Sequence, residues 1–164
     1  MAKVIIYIPF NEATTPLKTD LELLVGNALE MPRNSNFISV QVVFLDQEQI
    51  AANQVAHGDT LLVNAHGAPS DTDIGDNDGG NITQTNLFQR MTTLQAAAQA
   101  ETVLFFCCYS ATNGLAQSYK TLHNVQTVYG SEKQCSGGQL FTSTRRSIKS
   151  AVWETPAEYL VEMQ

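Results

Sequence analysis

The sequence predicts an α/β fold with a doubly wound, mostly parallel sheet flanked by helices on both faces. Short apolar segments alternate along the chain with longer segments of helical period, which is typical of such sheets. The apolar segments are continuous, as expected for strands that are buried on both faces. The 164 residues show no internal repeat, linker or shift of composition, so we predict a single domain over residues 1–164.

The predicted strands are the short apolar segments, which span residues 3–10, 37–45, 60–65, 103–107 and 125–129. Helical period predicts helices over residues 16–29, 47–56, 83–100, 115–122 and 139–151, with a short tail helix from about residue 156. Ser110, Thr112 or Asn113 is expected to cap the helix at 115–122. The acidic, glycine-rich residues 68–80 and the polar residues 130–138 are predicted to be loops.

Composition limits the classes of partner and the compartment. Nine basic and 16 acidic side chains give a net charge of −7, which disfavours nucleic acid as a partner. The longest apolar runs are shorter than the roughly 20 residues that a membrane-spanning helix requires, and the first apolar run predicts a strand instead of a signal peptide. Three cysteines, two of them adjacent, do not form a disulfide framework, so we expect a cytoplasmic protein. The oligomeric state is left open.

The strand that ends at Cys107 and Cys108 is the best candidate for chemistry. In open α/β sheets, ligands bind outside the carboxyl ends of the strands. Cys107 is predicted to be the last buried residue of this strand, and Cys108 the first residue beyond it. The following helix N-terminus would favour a thiolate at Cys108. Cys135, in a polar loop, is expected to be incidental.

A cysteine nucleophile needs a base, which is usually a histidine. His57 precedes a predicted strand and His123 ends a predicted helix, so both are expected at the amino edge of the sheet. His66 alone follows the carboxyl end of a strand and would lie beside Cys108 if the two strands are neighbours. The N–H groups of Gly67 and Cys108 could then bind an oxyanion. Topology alone leaves a coincidental placement as open as a catalytic pair.

The two strand ends resemble motifs of the caspase–hemoglobinase superfamily (clan CD) of cysteine peptidases. Leu-Leu-Val-Asn-Ala-His-Gly at 61–67 resembles its histidine motif. Leu-Phe-Phe-Cys-Cys-Tyr-Ser at 104–110 resembles its nucleophile motif and is similar to the metacaspase form Asp-Cys-Cys-His-Ser-Gly, in which the second cysteine attacks. Residues 113–117 resemble the helix that follows in CHAT domains, and residues 137–142 resemble the Gly-Gly-x-Phe-Thr segment that opens a late helix in several members.

This resemblance implies a caspase-like fold and a cysteine endopeptidase that acts on a peptide or protein substrate and requires no cofactor. Cys108 would attack the scissile carbonyl, and His66 would protonate the leaving amine. The amides of Gly67 and Cys108 would hold the oxyanion.

The chain departs from the metacaspase pattern at the substrate pocket. Phe106 stands where metacaspases have an aspartate that lines a pocket for Arg or Lys, so the resemblance does not carry basic specificity over. Ser131 and Glu132 lie where family members build this pocket. Phe106, Ser131 and Glu132 are therefore the candidate pocket residues, although a solvated loop charge is the favoured explanation of Glu132.

The acidic loop has two interpretations. Asp71, Asp73, Asp76 and Asp78 alternate with glycine and polar residues, a composition that suits Ca²⁺. The spacing does not fit an EF-hand, and the same residues dominate plain solvent loops. We favour the solvent loop, which would lie beside His66 and could shape the substrate cleft.

Two other functions remain as alternatives. A catalytically silent caspase-like domain would serve as a binding or regulatory module. A flavodoxin-like ligand-binding domain would make the cysteine and histidine coincidental. The latter predicts a phosphate-binding glycine loop after the first strand, and residues 9–12 (Pro-Phe-Asn-Glu) do not form one.

Overall fold

The computed structural model describes residues 3–18, 40–135 and 160–164. Within these residues, a six-stranded sheet forms the centre and a three-stranded sheet lies beside it. The strands are β1 (Val4–Ile8), β2 (Val40–Phe44), β3 (Thr60–Asn64), β4 (His66–Ala68), β5 (Asp71–Gly75), β6 (Asn81–Ile82), β7 (Thr102–Phe106), β8 (Thr127–Ser131) and β9 (Leu160–Glu162). The helices are α1 (Glu48–Ala52), which follows a 3-10 turn at Leu45–Gln47, α2 (Gln84–Leu94) and α3 (Leu115–Leu122).

The central sheet confirms the predicted α/β class. Its strand order is β2-β1-β3-β7-β8-β9. The first five strands in that order are parallel to their neighbours, and β9 is antiparallel to β8. The strand order reverses its direction between β1 and β3, as expected for a doubly wound sheet.

The sheet interior is apolar because β1, β3 and β7, at its centre, consist mainly of apolar residues. Every residue of β1 and β3 is buried, as predicted for parallel strands covered on both faces. On one face, α1 contacts α2, and Phe88 of α2 contacts Phe105 of β7 and Tyr119 of α3 with ring-centroid distances of 6.3 and 5.2 Å. These three helices therefore form one layer. The predicted helix at 139–151 and most of that at 16–29 lie outside the described residues, so the second predicted layer is not tested.

Two predicted helices differ from the structure where they end. The helix predicted to reach residue 100 ends at Leu94. The side chain of Gln95 donates to the carbonyl of Met91 and accepts from the N–H of Ala100 at 3.0 Å, so it turns the chain toward β7. The predicted tail helix is wrong over Leu160–Glu162, which pair with β8 as a strand. No helix within the described ranges is long and apolar enough to cross a membrane.

The predicted acidic loop at 68–80 is also wrong in part, because its residues contribute to a small antiparallel sheet. In this sheet β4 pairs with β5 and β5 pairs with β6. The turn between β5 and β6 is closed by Asp76, which is 4% exposed. Its Oδ1 accepts hydrogen bonds from the N–H groups of Asp78 (3.0 Å) and Gly80 (2.9 Å). The buried Asp76 carboxylate thus accepts the backbone hydrogen bonds that water would accept in a solvent-exposed loop.

Candidate active site

His66 and Cys108 leave the same edge of the sheet at equivalent positions. β3 and β7 are neighbours, and their register pairs Asn64 with Phe106. His66 and Cys108 each come two residues after this pair. The condition on which the predicted pairing depended, that the two strands are adjacent, is therefore confirmed.

The other two histidines lie at the opposite end of the strands, as predicted. His57 precedes the first residue of β3. His123 follows the last turn of α3 and stacks on Tyr119 at a centroid distance of 4.4 Å. The hydroxyl of Tyr119 donates to Gln126, whose amide donates to the carbonyl of Ala100, just before β7 begins. Neither histidine is placed to act on Cys108.

The backbones of Gly67 and Cys108 are in direct contact. A β-carbon at residue 67 would lie 2.3 Å from the carbonyl oxygen of Cys108 and 3.2 Å from its nitrogen. Any other residue would force the two segments apart, so glycine is required by this close approach. The Gly67 N–H is also close enough to lower the pKa of the Cys108 thiol.

Cys135 covers the thiol of Cys108, so the prediction that Cys135 is incidental is wrong. The Cys135 N–H donates to Sγ of Cys108 at 3.2 Å. The two sulfur atoms are 3.8 Å apart. The Cys135 carbonyl oxygen lies 3.1 Å from the same Sγ, where it accepts a hydrogen bond from the protonated thiol. As a result, Cys108 is only 6% exposed and Cys135 only 9% exposed.

These contacts lower the pKa of Cys108 to about 5. The hydrogen bond with the Cys135 thiol is the largest cause, and it outweighs burial, which acts in the opposite direction. The N–H groups of Cys135 and Gly67 and the charge of His66 lower the pKa further. The same hydrogen bond, together with burial, raises the pKa of Cys135, so the proton of the pair stays on Cys135.

Cys107 has the opposite environment although it is adjacent in sequence. It is fully buried, and its thiol donates to the carbonyl of Val63 at 3.7 Å. Burial, and then the charge of Cys108, raises the pKa of Cys107. Cys107 is therefore a core residue, as predicted, while the lowered pKa of Cys108 favours its thiolate.

Ser110 fixes the segment that follows Cys108, a role the sequence did not indicate beyond a possible helix cap. Its buried hydroxyl donates to the carbonyl of Phe105 at 2.8 Å and accepts from the N–H of Ser131 at 2.9 Å. Tyr109 has a left-handed φ of 62°, and its N–H donates to the carbonyl of Lys133 at 3.1 Å. For a bulky residue this conformation costs about 1–3 kcal/mol and is retained only where the surroundings enforce it.

Asn113 connects the segment that follows Cys108 to the segment that follows His66. Its side-chain amide donates to the carbonyls of Ala68 and Asp71, both at 2.9 Å. Its side-chain oxygen accepts from the N–H of Leu115 at 2.9 Å. Gly114 occupies the N-cap position of α3, so of the three predicted capping residues Asn113 is the one whose side chain bonds the first turn.

A cleft borders His66 on the side of the small sheet. It has a volume of about 280 Å³. We call it the hairpin cleft, and its lining includes two aspartates: His66, Gly67, Ala68, Asp71, Asp73, Gly75, Asn77, Gly80 and Asn81. The predicted position of the acidic segment beside His66 is confirmed.

The predicted pocket residues do not share one environment. Phe106 is 2% exposed and belongs to the core, which argues against its predicted role as a pocket wall. Ser131 is also buried, and its hydroxyl donates to the carbonyl of Lys133 at 2.8 Å. Glu132 is exposed next to it. Of the three, Glu132 alone faces solvent in the structure.

The four aspartates of the predicted calcium site have separate local roles. Asp71 accepts from the N–H of Asp73 at 3.0 Å, and Asp73 pairs with the side chain of Asn81 at 3.4 Å. Asp76 closes the turn that contains Asp78. Among the residues that the structure describes, no group of three or more His, Cys, Asp or Glu side chains is arranged to hold a metal ion. Calcium binding stays a prediction.

No protein-family model matches the chain, and no curated protein matches it in sequence.

Proposed function

We propose that the chain is a cysteine peptidase of caspase-like fold in which Cys108 is the nucleophile and His66 is the general acid and base. The observation that carries the proposal is the register of β3 and β7, which brings the two residues to the same edge at equivalent positions. The lowered pKa of Cys108 supports it, because a thiolate is the form of cysteine that attacks a carbonyl carbon.

The proposed reaction follows from these positions. The Cys108 thiolate attacks the carbonyl carbon of the peptide bond. The resulting oxyanion accepts hydrogen bonds from the N–H groups of Gly67 and Cys108. The carbon–nitrogen bond then breaks, and protonated His66 gives its proton to the leaving amine. Water, deprotonated by His66, hydrolyses the thioester and releases Cys108.

The position of the hairpin cleft indicates which side of the scissile bond it would bind. It borders His66, and in the proposed reaction His66 protonates the leaving amine, so we assign this cleft to the residues on the amine side of the scissile bond. Asp71 and Asp73 would favour a basic side chain there. The reaction requires no cofactor, and we propose a peptide or protein substrate in the cytoplasm, where thiols stay reduced.

A peptide carbonyl can reach the sulfur only after Cys135 has moved, because the backbone and thiol of Cys135 contact it. This contact is the observation that favours the second candidate, a catalytically silent caspase-like module that binds a partner without cleaving it. The two functions differ in one observable property. A peptidase forms an acyl-enzyme at Cys108, whereas a silent module leaves this thiol unmodified by substrate.

Peptide acyloxymethyl ketones test the proposal, because they alkylate a cysteine only after they bind as substrates. A panel varied on both sides of the reactive carbonyl is applied to the full chain, and the adduct is located by mass spectrometry. We expect labelling at Cys108 and hydrolysis of the matching peptide, and both are lost in Cys108→Ala. His66→Ala should retain its thermal stability and lose hydrolysis.

His57→Ala is the matched control, because His57 is an exposed histidine at the other end of β3. It should hydrolyse peptides as the unaltered protein does. Equal activity in His66→Ala and His57→Ala would contradict the assignment of His66. Binding of peptides without labelling by any member of the panel would favour the silent module.

A further inference from the structure

The contact between Cys108 and Cys135 has a consequence for redox chemistry that does not depend on peptidase activity. The three cysteines of the chain are free thiols in this structure. The sulfur atoms of Cys108 and Cys135 are 3.8 Å apart, although the residues are separated by 27 positions in sequence. A disulfide bond is about 2.05 Å long, so the sulfurs need to approach by less than about 2 Å.

We propose that Cys108 and Cys135 form a reversible disulfide when the protein meets a hydroperoxide, which makes the pair a specific oxidation site. The two thiols have unequal roles. Hydrogen bonds from the N–H and the thiol of Cys135 stabilise a thiolate at Cys108, so Cys108 reacts with the peroxide. Cys135 retains its proton and resolves the oxidised product.

The chemistry proceeds in two balanced steps. The Cys108 thiolate attacks one oxygen of the hydroperoxide and the O–O bond breaks, which gives a sulfenic acid on Cys108 and, with one proton, an alcohol or water. The Cys135 sulfur then attacks the Cys108 sulfur. The S–S bond forms, the S–O bond breaks, and the hydroxide takes the proton of Cys135 and leaves as water. Two thiols are oxidised by two electrons, and the peroxide is reduced.

Burial makes this site selective for small oxidants. Cys108 and Cys135 are 6% and 9% exposed, which suits hydrogen peroxide better than a bulky disulfide such as oxidised glutathione. The closed pair also protects Cys108, because a sulfenic acid without a neighbouring thiol proceeds to the irreversible sulfinic acid. A dithiol reductant should restore both thiols by exchange.

Cys107 provides a matched control within the same dipeptide. Its thiol is fully buried and bonds to the carbonyl of Val63, on the β3 side. We expect Cys107→Ser to leave oxidation unchanged. This variant also makes the mapping unambiguous, since a cross-link to the 107–108 segment can then involve only Cys108.

The experiment uses the full chain with hydrogen peroxide as the oxidant. After exposure to a small excess of peroxide, free thiols are blocked by N-ethylmaleimide under denaturing conditions, and peptides are mapped by mass spectrometry. In the unaltered protein and in Cys107→Ser we expect an intramolecular cross-link between residues 108 and 135 that dithiothreitol reverses. In Cys135→Ser we expect sulfinic acid on Cys108 in its place.

Three results would overturn the proposal. The first is complete alkylation of Cys135 by N-ethylmaleimide in protein whose Cys108 is already oxidised. The second is a cross-link that persists in Cys108→Ser. The third is a non-reducing gel that shows cross-links only between chains. Even if a variant fails to fold, peptide mapping of the unaltered protein shows whether the cross-link between residues 108 and 135 forms. His66→Ala should still form the disulfide, so loss of peptidase activity and loss of the oxidation site are separate outcomes.

Discussion

Gly67 lies so close to Cys108 that a β-carbon on the glycine would fall 2.3 Å from the Cys108 carbonyl oxygen. This contact joins the segments that follow two adjacent strands, and it fixes the distance between the residue after His66 and the candidate nucleophile. Backbone atoms cannot rotate out of the way as a side chain does. The geometry of the site therefore depends on the absence of a side chain at residue 67.

Gly67→Ala should destabilise the protein by about 1–3 kcal/mol, the usual cost of inserting atoms where the surroundings are closely packed. It should also raise the pKa of Cys108, because the Gly67 N–H would move away from the sulfur. The free energy of unfolding is measured in urea. Gly79→Ala is the control, because a β-carbon there meets nothing within 4 Å and adds only the strain of a φ of +80°. The pKa of Cys108 separates the two variants, because Gly79 does not contact Cys108. A Cys108 pKa that is unchanged in Gly67→Ala would contradict a steric role for Gly67.

Cys108 should ionise with a midpoint near pH 5, as given by its lowered pKa. Below this pH the thiol is protonated, and above it the thiolate and its reactivity are present. Cys135→Ala removes the largest cause of the shift, so the midpoint should move up toward the ordinary value of about 8.5. The ultraviolet absorbance of the thiolate measures this midpoint, and it does not require a reagent to reach the buried sulfur. The signal of Cys108 is the difference in absorbance between each protein and its Cys108→Ser counterpart. An unchanged midpoint in Cys135→Ala would show that Cys135 does not stabilise the thiolate.

The sequence was sufficient to place His66 and Cys108 because both follow strands with continuous apolar residues. In a parallel sheet, the chain direction alone then determines the edge at which each strand ends. Other features depend on contacts between distant residues, and no local pattern encodes them. The small sheet contains Asp and Gly, which have low strand propensity, and its position depends on bonds made by Asp76 and Asn113.

The position of Cys135 was unpredictable for a related reason. Residues 131–135 return to Cys108 because Ser131 bonds to Ser110 and Lys133 bonds to Tyr109. The polar composition of these residues predicts a solvent-exposed loop and does not indicate these contacts. A buried cysteine in such a loop can be recognised only once its tertiary partners are known.

Asn113 should act as a positioning residue for the pair. Asn113→Ala removes two bonds to the small sheet and one to the start of α3, so we expect a loss of about 1–3 kcal/mol in the free energy of unfolding. If the proposed peptidase activity is present, kcat should fall by about 10- to 100-fold, with a smaller change in KM, because displacement of a catalytic group by about 1 Å has an effect of this order. Thr112→Ala is the control, since the exposed Thr112 hydroxyl makes one bond, to the carbonyl of Tyr109. A kcat equal to that of the control would contradict the positioning role.

Asp59 should make the stability of the sheet depend on acid pH. Its buried carboxylate accepts bonds from the Lys3 backbone (2.9 Å) and ammonium group (2.6 Å) and from the Ala56 N–H (2.8 Å). Burial alone would raise the pKa of Asp59, but these bonds and the charge of Lys3 outweigh it and lower the pKa. The contribution of the Asp59 carboxylate to the free energy of unfolding is therefore complete above its unfolded-state pKa of about 3.9. It is lost as the pH falls through the lower pKa of the folded state.

Asp59→Asn should reduce the free energy of unfolding by about 1.5–3 kcal/mol at neutral pH, the usual value of hydrogen bonds to a charged group. The difference between variant and unaltered protein should shrink below about pH 4, and unfolding in urea across this range measures it. Asp46→Asn is the control, because within the described part of the chain the Asp46 carboxylate accepts only a 3.4 Å bond, from the exposed N–H of Glu12. If the loss of unfolding free energy in Asp59→Asn stays constant as the pH falls, the charge of Asp59 is not what stabilises the fold.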